Sequence, residues 1–399
     1  MSEPASNARA LRHHFWGAPV ALDWTKLTDC WVADGLIDQV HLTSDLGRLT
    51  ARVHGIRDVA PIQDAGQYDI SLLTDRRQWL RWHVAVEGGG TVPAVLVVAQ
   101  GMEADVASTL AQSPSKTDET TMLVTAFPKV AFGRIVEAMY PKAILGWSST
   151  DFVQSDVADT ATVFPGACIA EAVEIGAGTQ VAVGAVIGRG AKIGNDCIVG
   201  PNATIGAGVV LGDRCTVGPG ARIFATWAGD DCDFRANAVV GERGYGVTLM
   251  SSMTEANPYQ SYDVPQIAGV RIGDRCEIRH GSVVDRGALT DTVLGDDVHI
   301  DSHATIGHGA QIGCRVSVGA LAGAAGQAVV GDDCLLLARS GVLEGRSIAA
   351  RTTLQMDCIV TKSFLEPGQT LAGTPAMPAD GWARRQATLN RLAKRPQNS

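Results

Sequence analysis

An aliphatic residue recurs at every sixth position across much of the chain, and this period constrains the fold more than any other feature. The long runs start at Val163 and at Leu294, and a short one starts at Ile272. A six-residue period fits neither the 3.6-residue turn of a helix nor the two-residue alternation of a strand. It is typical of a short strand followed by a tight bend, repeated along a parallel β-helix.

Three such units close one triangular coil of about 18 residues, and the aliphatic anchor of each unit points inward. Parallel strands of successive coils then lie about 4.8 Å apart. A compact residue, such as Ala185, Cys197 or Ala203, stands four positions after most anchors and fits the corner. We therefore predict a mainly β fold, a left-handed parallel β-helix with a small N-terminal α/β domain and a C-terminal α-helix. The left hand is the one that proteins with this hexapeptide pattern adopt.

Two interruptions of the period predict loops that project from the coil. Residues 224–271 lose the phase, and residues 285–292 add four extra positions. Inserts in a solenoid leave its core and often lie on the binding face. The predicted organisation is an extension over 1–45, a nucleotide-binding-like α/β domain over 46–155, the coil over 160–372, and a C-terminal helix and tail over 375–399.

Composition argues against several classes of protein. The net charge of −9 disfavours a nucleic-acid binder, because neutralising phosphates supplies most of such a protein's affinity. No apolar run reaches the ~18 residues that span a bilayer, and the N-terminus lacks the apolar segment of a secretory signal. We expect a cytoplasmic protein without a transmembrane segment. The nine Cys include no C-x-x-C pair, which favours reduced packing thiols over disulfides or zinc ribbons.

One histidine in the repeat is placed for chemistry. His308 follows the anchor Ile306 by two positions and so faces outward, and Gly326 lies one full coil further along the chain. A general base beside a bare backbone N–H suits acyl transfer, because the base removes a proton from the nucleophile and the N–H stabilises the oxyanion. Asp301, on the same coil, is a candidate to orient the imidazole.

Two other interpretations of His308 stay open at this point. A lone His on a solenoid face is often only a solvent-exposed residue. A zinc site is the second alternative, since His303 and His308 are five apart, as in the γ-class carbonic anhydrases, which are also hexapeptide β-helices. Such a site needs three ligands and an open position, and the segment after His280 would supply Asp285 where that class has His.

Four segments resemble the UDP-3-O-acylglucosamine N-acyltransferases of lipid A biosynthesis, and they occur in the family's order. They read VVGERGYG, VPQIAGVRIGD, VVDRGALTDT and IDSHATIGHGAQIG, of which the third is the most specific. The resemblance implies a homotrimer that transfers a 3-hydroxyacyl group to the amino group of a UDP-aminosugar. The donor would be the phosphopantetheine thioester of acyl carrier protein, or alternatively acyl-CoA, and no other cofactor is expected.

The resemblance also assigns roles to individual residues. His308 matches the family's catalytic base, Asp301 its acidic partner and Gly326 the glycine that binds the oxyanion. The substrate-binding candidates are Gly244, Tyr245, Asp285, Arg286 and His303. The nucleotide-binding candidates are Leu72, Asp75 and Trp79, and the candidates for contact with an acidic carrier protein are Arg384, Arg385 and Arg391.

The sequence departs from the family where a nucleotide would bind. Leu72 stands where a Phe is expected, and Asp75 replaces an Asn. Asp357 is unexpected in the acyl-channel segment LQMDCIV, because an unpaired buried charge is costly. These changes suggest a divergent paralogue. The alternatives to the leading function are an acetyl-CoA-dependent sugar-nucleotide N-acetyltransferase, a γ-carbonic-anhydrase-like zinc lyase, and a non-catalytic scaffold that binds sugar nucleotides.

Overall fold

The protein is described by a computed structural model. The structure describes residues 58–113, 120–140, 156–251 and 259–393, with the separate positions 19, 22, 27, 41–42 and 56. The chain divides into two compact units. One contains residues 1–145 and 245–267, and the other contains residues 146–244 and 268–399.

The first unit is built on a five-stranded sheet with the strand order β1-β5-β4-β3-β2. Strands β2 to β5 are mutually parallel, whereas β1 pairs antiparallel with β5. The strands are β1 (His41–Leu42), β2 (Asp58–Val59), β3 (Asp69–Leu73), β4 (Val95–Ala99) and β5 (Thr121–Thr125).

The helices α1 (Arg76–Glu87), α2 (Glu103–Gln112) and α3 (Pro128–Met139) also belong to this unit. Strands and helices alternate in this part of the chain. The continuous apolar run of β4 is typical of such an arrangement, because helices cover both faces of a parallel sheet. The apolar run VPAVLVVAQ (92–100) predicts a strand and the segment FPKVAFGRIVEAMY (127–140) predicts a helix, and β4 and α3 confirm both predictions.

A hairpin formed by Val247–Ser251 and Tyr259–Asp263 also belongs to the first unit. Its Tyr262 ring lies against α3, where the Arg134 guanidinium sits 4.9 Å from the ring centroid. A Cβ on Gly133 would come within 2.6 Å of the ring, so only glycine admits this contact.

The second unit is the predicted β-helix, and its strands stack into three parallel faces. Face 1 consists of Thr162–Val163, Gln180–Val181, Ile198–Val199, Thr216–Val217, Asp233–Phe234, Glu277–Ile278, His299–Ile300, Ser317–Val318, Leu335–Leu336, Thr353–Leu354, Thr370–Ala372 and, antiparallel at its end, Met377–Pro378. Face 2 consists of Cys168–Ile169, Val186–Ile187, Thr204–Ile205, Arg222–Ile223, Val239–Val240, Val283–Val284, Thr305–Ile306, Gly323–Ala324, Gly341–Val342 and Ile359–Val360. Face 3 consists of Asp156–Val157, Glu174–Ile175, Lys192–Ile193, Val210–Leu211, Thr226–Ala228, Val270–Ile272, Thr292–Leu294, Gln311–Ile312, Val329–Val330 and Ser347–Ile348.

Each strand of the coil is short because one face of the triangle accommodates only a few residues before the chain must turn. The second residue is usually the buried anchor, as at Ile187, Ile306 and Val330. In uninterrupted coils the strand partners are separated by three complete hexads, as with Ile187 and Ile205. The predicted fold class, a mainly β protein built on a left-handed parallel β-helix with hexapeptide repeats, is confirmed.

The prediction of a loop over the whole of 224–271 is wrong in its first part. Ala228, Phe234 and Val240 are buried anchors that pair with the coil below, although this coil is one residue shorter than the regular repeat. The missing residue is at the corner after Ile223, and it shifts the phase while the coil continues. The insert that leaves the coil therefore begins after Val240 and ends before Val270.

The second interruption has the expected size. Val284 pairs with Ile306 and Ile272 pairs with Leu294, and each pair is separated by four more positions than in a regular coil. Residues 285–292 form a bulge at the corner between faces 2 and 3. Among its backbone contacts, Ala268 N–H donates to the carbonyls of Gly287 and Ala288.

Cysteines form a column inside the corner between faces 3 and 1. Cys197, Cys215, Cys232 and Cys276 occupy four successive coils, and each thiol donates to a carbonyl of the next coil at 3.1–3.2 Å. The pKa of Cys197 is raised by its hydrogen bond with Cys215 and by burial. The prediction that these residues are packing thiols agrees with this arrangement.

The coil is followed by α4 (Ala379–Ala393), which lies within the segment 375–399 predicted to hold the C-terminal helix and tail. The indole of Trp382 lies against Gly373, where a Cβ would overlap it. Within the residues that the structure describes, no helix is long and apolar enough to cross a membrane.

Candidate active site

The structure places His308 and Gly326 side by side at the corner between faces 2 and 3. The register of Ile306 with Ala324 stacks the two residues one coil apart. A Cβ built on Gly326 would lie 2.5 Å from Cε1 and 2.9 Å from Nε2 of the His308 ring. The imidazole therefore rests on the bare Cα of Gly326, as the one-coil spacing predicts.

The Gly326 amide is uncapped within the described part of the chain. Its carbonyl accepts a hydrogen bond from Gly345 N–H, but its own N–H donates none. Equivalent amides at the corner between faces 3 and 1 are capped by side-chain oxygens one coil away, at Ala177, Asn195, Asp213, Asp230, Asp274 and Cys314. No such side-chain cap reaches the Gly326 N–H among the described residues.

Three substrate-binding candidates meet one coil below His308. Asp285 follows Val284 on face 2, and a Cβ on Gly244 would overlap its carboxylate. Burial raises the pKa of Asp285 to about 6 and lowers the pKa of the buried Arg286 to about 10. Tyr245, the fourth candidate, is 83% exposed. The structure therefore brings a carboxyl group with a raised pKa to the corner that holds the imidazole.

Asp301 and His303 lie at the preceding corner, between faces 1 and 2. Five to seven residues carry the chain along one whole side of the triangle, so these residues cannot share a corner with His308. The Asp301 carboxylate accepts from Ser302 N–H at 2.8 Å and lies 3.9 Å from Arg279 Nη1. The role of Asp301 in orienting the imidazole stays a prediction.

His303 packs its ring over Gly281, where a Cβ would come within 2.7 Å of Cε1. The backbone N–H of His303 donates to the His280 carbonyl at 3.1 Å. The zinc alternative uses His303 and His308 as two of three ligands, and the two residues lie at separate corners of the chain. No three His, Cys, Asp or Glu side chains among the described residues are grouped to hold a metal ion.

The nucleotide-binding candidates have structural partners. Asp75 is the N-cap of α1, and its carboxylate accepts from the Arg77 and Gln78 N–H groups at 2.8 and 3.0 Å. The Trp79 indole N–H donates to Thr109 Oγ1 at 3.0 Å, and its ring stacks on His83. Leu72 is a partly buried residue of β3. Their assigned role in reading a nucleotide remains a prediction.

Other predicted residues also find places. Arg384, Arg385 and Arg391 are exposed on α4. Asp357, unexpected beside an acyl chain, points to the corner between faces 1 and 2, where both carboxylate oxygens pair with Arg339 at 2.6 and 2.7 Å. Its charge is therefore compensated outside face 2.

Face 2 carries a feature that the sequence reading missed. Its outward positions above Thr305 are Gly323 and Gly341, which stack directly on one another, followed by Ile359. The Ile359 Cδ1 atom lies 3.2 Å from where a Gly341 Cβ would be. Two glycines thus leave a shallow trough beside the His308 corner, closed by an isoleucine. The outward positions of one face, compared once per coil, were the signal that could have revealed it.

Comparisons with known proteins agree with the fold and the motifs. The family described as "Bacterial transferase hexapeptide (six repeats)" matches residues 190–225. One curated relative is 34% identical over 40% of this chain, and a second is 33% identical over 41% of it. Both are named UDP-3-O-acylglucosamine N-acyltransferase, and they come from Janthinobacterium sp. (strain Marseille) and Caulobacter sp. (strain K31), respectively.

These matches cover 43% and 46% of the two relatives, so the chain spans about half the length of the curated relatives it matches. The resemblance stated from the four motifs is thereby confirmed.

One further curated relative and one solved structure are also similar to this chain. A protein of Arabidopsis thaliana named "Probable UDP-3-O-acylglucosamine N-acyltransferase 2, mitochondrial" is 33% identical over 42% of this chain and 52% of its own length. The solved UDP-N-acetylglucosamine acyltransferase from Campylobacter jejuni is 19% identical, with 59% of this chain and 81% of that chain covered and a TM-score of 0.38.

Proposed function

We propose that this protein is an acyltransferase that moves an acyl group from a thioester to the amino group of a UDP-aminosugar in lipid A-type biosynthesis. The observation that carries the proposal is the contact between the His308 imidazole and Gly326, whose N–H donates no hydrogen bond within the described chain. The names of the curated relatives supply the substrate class.

In the proposed reaction, the neutral imidazole of His308 accepts a proton from the attacking amine. The amine nitrogen bonds to the thioester carbonyl carbon, and the Gly326 N–H donates to the oxygen as it becomes negative. Collapse of the tetrahedral intermediate breaks the C–S bond, and the imidazolium returns the proton to the leaving thiolate. A general base must be neutral to accept this proton, and we place the protein in the cytoplasm.

The trough on face 2 suits the acyl chain. Its floor of Gly323 and Gly341 admits a hydrocarbon close to the backbone, and Ile359 closes it three coils above Thr305. Burying methylene groups there is favourable at about 0.8 kcal/mol each. Donor choice follows from α4, whose exposed Arg384, Arg385 and Arg391 suit an acidic acyl carrier protein better than free CoA.

The corners of the coil favour a homotrimer of this chain. Phe164, Val183 and Leu321 are 45%, 56% and 62% exposed at the corner between faces 1 and 2. The corner between faces 3 and 1 is lined by exposed Arg–Asp pairs, such as Arg214–Asp231 and Arg315–Asp333. Apolar surface of the first kind marks an interface, and a cyclic trimer would cover it.

An assay with a panel of acyl donors and aminosugar nucleotides, read by mass spectrometry, tests the proposal. His308→Ala should lower turnover by a general-base factor of about 10²–10⁴. His299→Ala, which removes an exposed imidazole on face 1, is the matched control and should retain turnover. Near-full activity of His308→Ala contradicts the mechanism. Ligand binding without any acyl transfer would favour a non-catalytic scaffold, and stoichiometric zinc in elemental analysis would favour the lyase.

A further inference from the structure

The bulge over 285–292 interrupts a regular hydrogen bond next to His308. At the corner between faces 2 and 3, the residue with positive φ normally donates its N–H to a carbonyl one coil below. Gln327 N–H donates to the His308 carbonyl at 2.9 Å, and Gly345 N–H donates to the Gly326 carbonyl at 3.0 Å. Each bond fixes the corner of one coil on the corner beneath it.

Gly309, the residue after His308, has a different acceptor. Its φ is +68°, as the corner requires, but its N–H donates to Thr292 Oγ1 at 2.8 Å. The same hydroxyl donates to the Asp285 carbonyl at 2.6 Å. Because the bulge takes the chain away from the coil after Arg286, a side-chain hydroxyl stands in for the carbonyl that supports this corner elsewhere.

Thr292 is itself held firmly. Its side chain is fully buried, and its N–H donates to the Gly269 carbonyl at 3.0 Å. The neighbouring Asp291 carboxylate accepts from Gly269 N–H and Arg271 Nε, both at 2.9 Å. These bonds fix the position of the Thr292 hydroxyl relative to the coil.

A hydroxyl at this position of the repeat accompanies an irregular corner. The equivalent positions in the two coils above Thr292 are Ala310 and Ala328, which have no hydroxyl and follow regular corners. Thr226, the threonine in the same column of the stack, follows the corner that is one residue short, and its hydroxyl donates to the Phe224 carbonyl at 2.6 Å. At both corners the hydroxyl bonds a backbone group that the altered chain path brings within reach.

We propose that Thr292 is a positioning residue. Its hydroxyl links Asp285, a substrate-binding candidate, to the backbone that carries His308. The inference rests on the proposed function, since it gives the hydroxyl a part in acyl transfer. Thr292 touches neither the imidazole nor the substrate in this account. It acts by fixing where the imidazole stands relative to the carboxyl group one coil below.

The test compares Thr292→Val, which keeps the shape and removes both hydrogen bonds, with Thr292→Ser, which keeps the hydroxyl. The matched control is Thr352→Val. Thr352 is equally buried, and its hydroxyl donates to the Ala349 carbonyl at 2.7 Å, in a part of the coil that does not carry His308. We expect Thr292→Val to lower kcat by about 10- to 100-fold, since a misplacement of about 1 Å at a reacting group costs up to about 10²-fold. The KM for the acceptor should change by less than about twofold, and Thr292→Ser should recover most of the rate.

A second readout does not depend on turnover. Amide hydrogen exchange at Gly309 should accelerate at least about tenfold in Thr292→Val and stay near wild type in Thr292→Ser and Thr352→Val. If Thr292→Val does not fold, the pair Thr292→Ala and Thr292→Ser, one without and one with the hydroxyl, replaces it.

Unchanged Gly309 exchange in the variant that lacks the hydroxyl, or a serine variant as slow as that variant, overturns the inference. If the wild-type protein transfers no acyl group, the proposed function fails, and Gly309 exchange alone decides whether Thr292 positions the corner.

Discussion

Adding one methyl group to Gly326 should disable the site while leaving the fold intact. The methyl carbon of Gly326→Ala would lie 2.5 Å from His308 Cε1, 2.9 Å from Nε2 and 3.0 Å from Nδ1. Ordinary carbon contacts need about 3.5 Å or more, so the imidazole must move by roughly 1 Å. A displacement of this size at a catalytic group costs about 10²-fold in rate, or about 2.7 kcal/mol of transition-state stabilisation.

The same substitution should barely change stability. The nearest atoms belong to the end of a side chain that can rotate away, and Gly326 does not have the positive φ that penalises alanine. Replacing glycine by alanine also restricts the unfolded chain, which contributes about 0.4–1 kcal/mol in the opposite direction. We therefore expect the free energy of unfolding to remain within about 1 kcal/mol of wild type in denaturant titrations.

A double-mutant cycle separates this steric effect from a general loss of activity. If Gly326→Ala acts by displacing the imidazole, it should cost far less in the His308→Ala background than in the wild type. Steady-state kcat would be measured for all four proteins. Additive effects, or a folded Gly326→Ala protein with more than about half of the wild-type kcat, would refute the reasoning.

Three further predictions concern other parts of the coil. Burial raises the pKa of Asp285 to about 6, above the unfolded value of about 3.9, so the folded state binds this proton more tightly and loses stability as pH rises from about 4 to 6. Asp285→Asn should therefore be more stable than wild type above pH 6 by about 1–2 kcal/mol, after allowance for partial solvent exposure. A pH-independent difference between the two proteins in denaturant titrations would contradict this. Of the eight described cysteines, Cys168 is exposed and six are buried, so a disulfide reagent should label Cys168 fastest in the native protein. Peptide mapping that finds Cys197 or Cys215 labelled first would contradict the assignment of these two residues as packing thiols. Ile359→Gly should lengthen the preferred acyl chain by about one coil spacing, ~4.8 Å, in a donor competition, and an unchanged preference would exclude the trough as the acyl site.

The extent to which the sequence predicted the structure differs between the repeat and its interruptions. Spacing alone was enough to place His308 beside Gly326, because an inward anchor every six residues leaves no freedom in the register. The same spacing failed between Ile223 and Val240, where one missing residue shifts the phase although Phe234 and Val240 still pack inside. Phase is therefore a sufficient sign of a coil but not a necessary one.

Contacts around a corner were harder to predict than contacts along the stack. Asp301 is only seven residues from His308 in the sequence, but those residues span one side of the triangle and end at a different corner. The role of Thr292 was not foreseen either, because it depends on where the bulge removes a carbonyl. Similarly, Asp75 caps a helix that the sequence reading had not assigned, and this use of its carboxylate was hidden.

The central claim is that His308 and Gly326 act together on one carbonyl group. A crystal structure with an aminosugar nucleotide and a non-cleavable analogue of the acyl thioester tests it most directly. The account predicts the acceptor nitrogen within about 2.6–3.2 Å of a His308 ring nitrogen and the carbonyl oxygen about 2.7–3.1 Å from the Gly326 nitrogen. An analogue seated at another corner of the coil, or a carbonyl oxygen that faces away from Gly326, would contradict it.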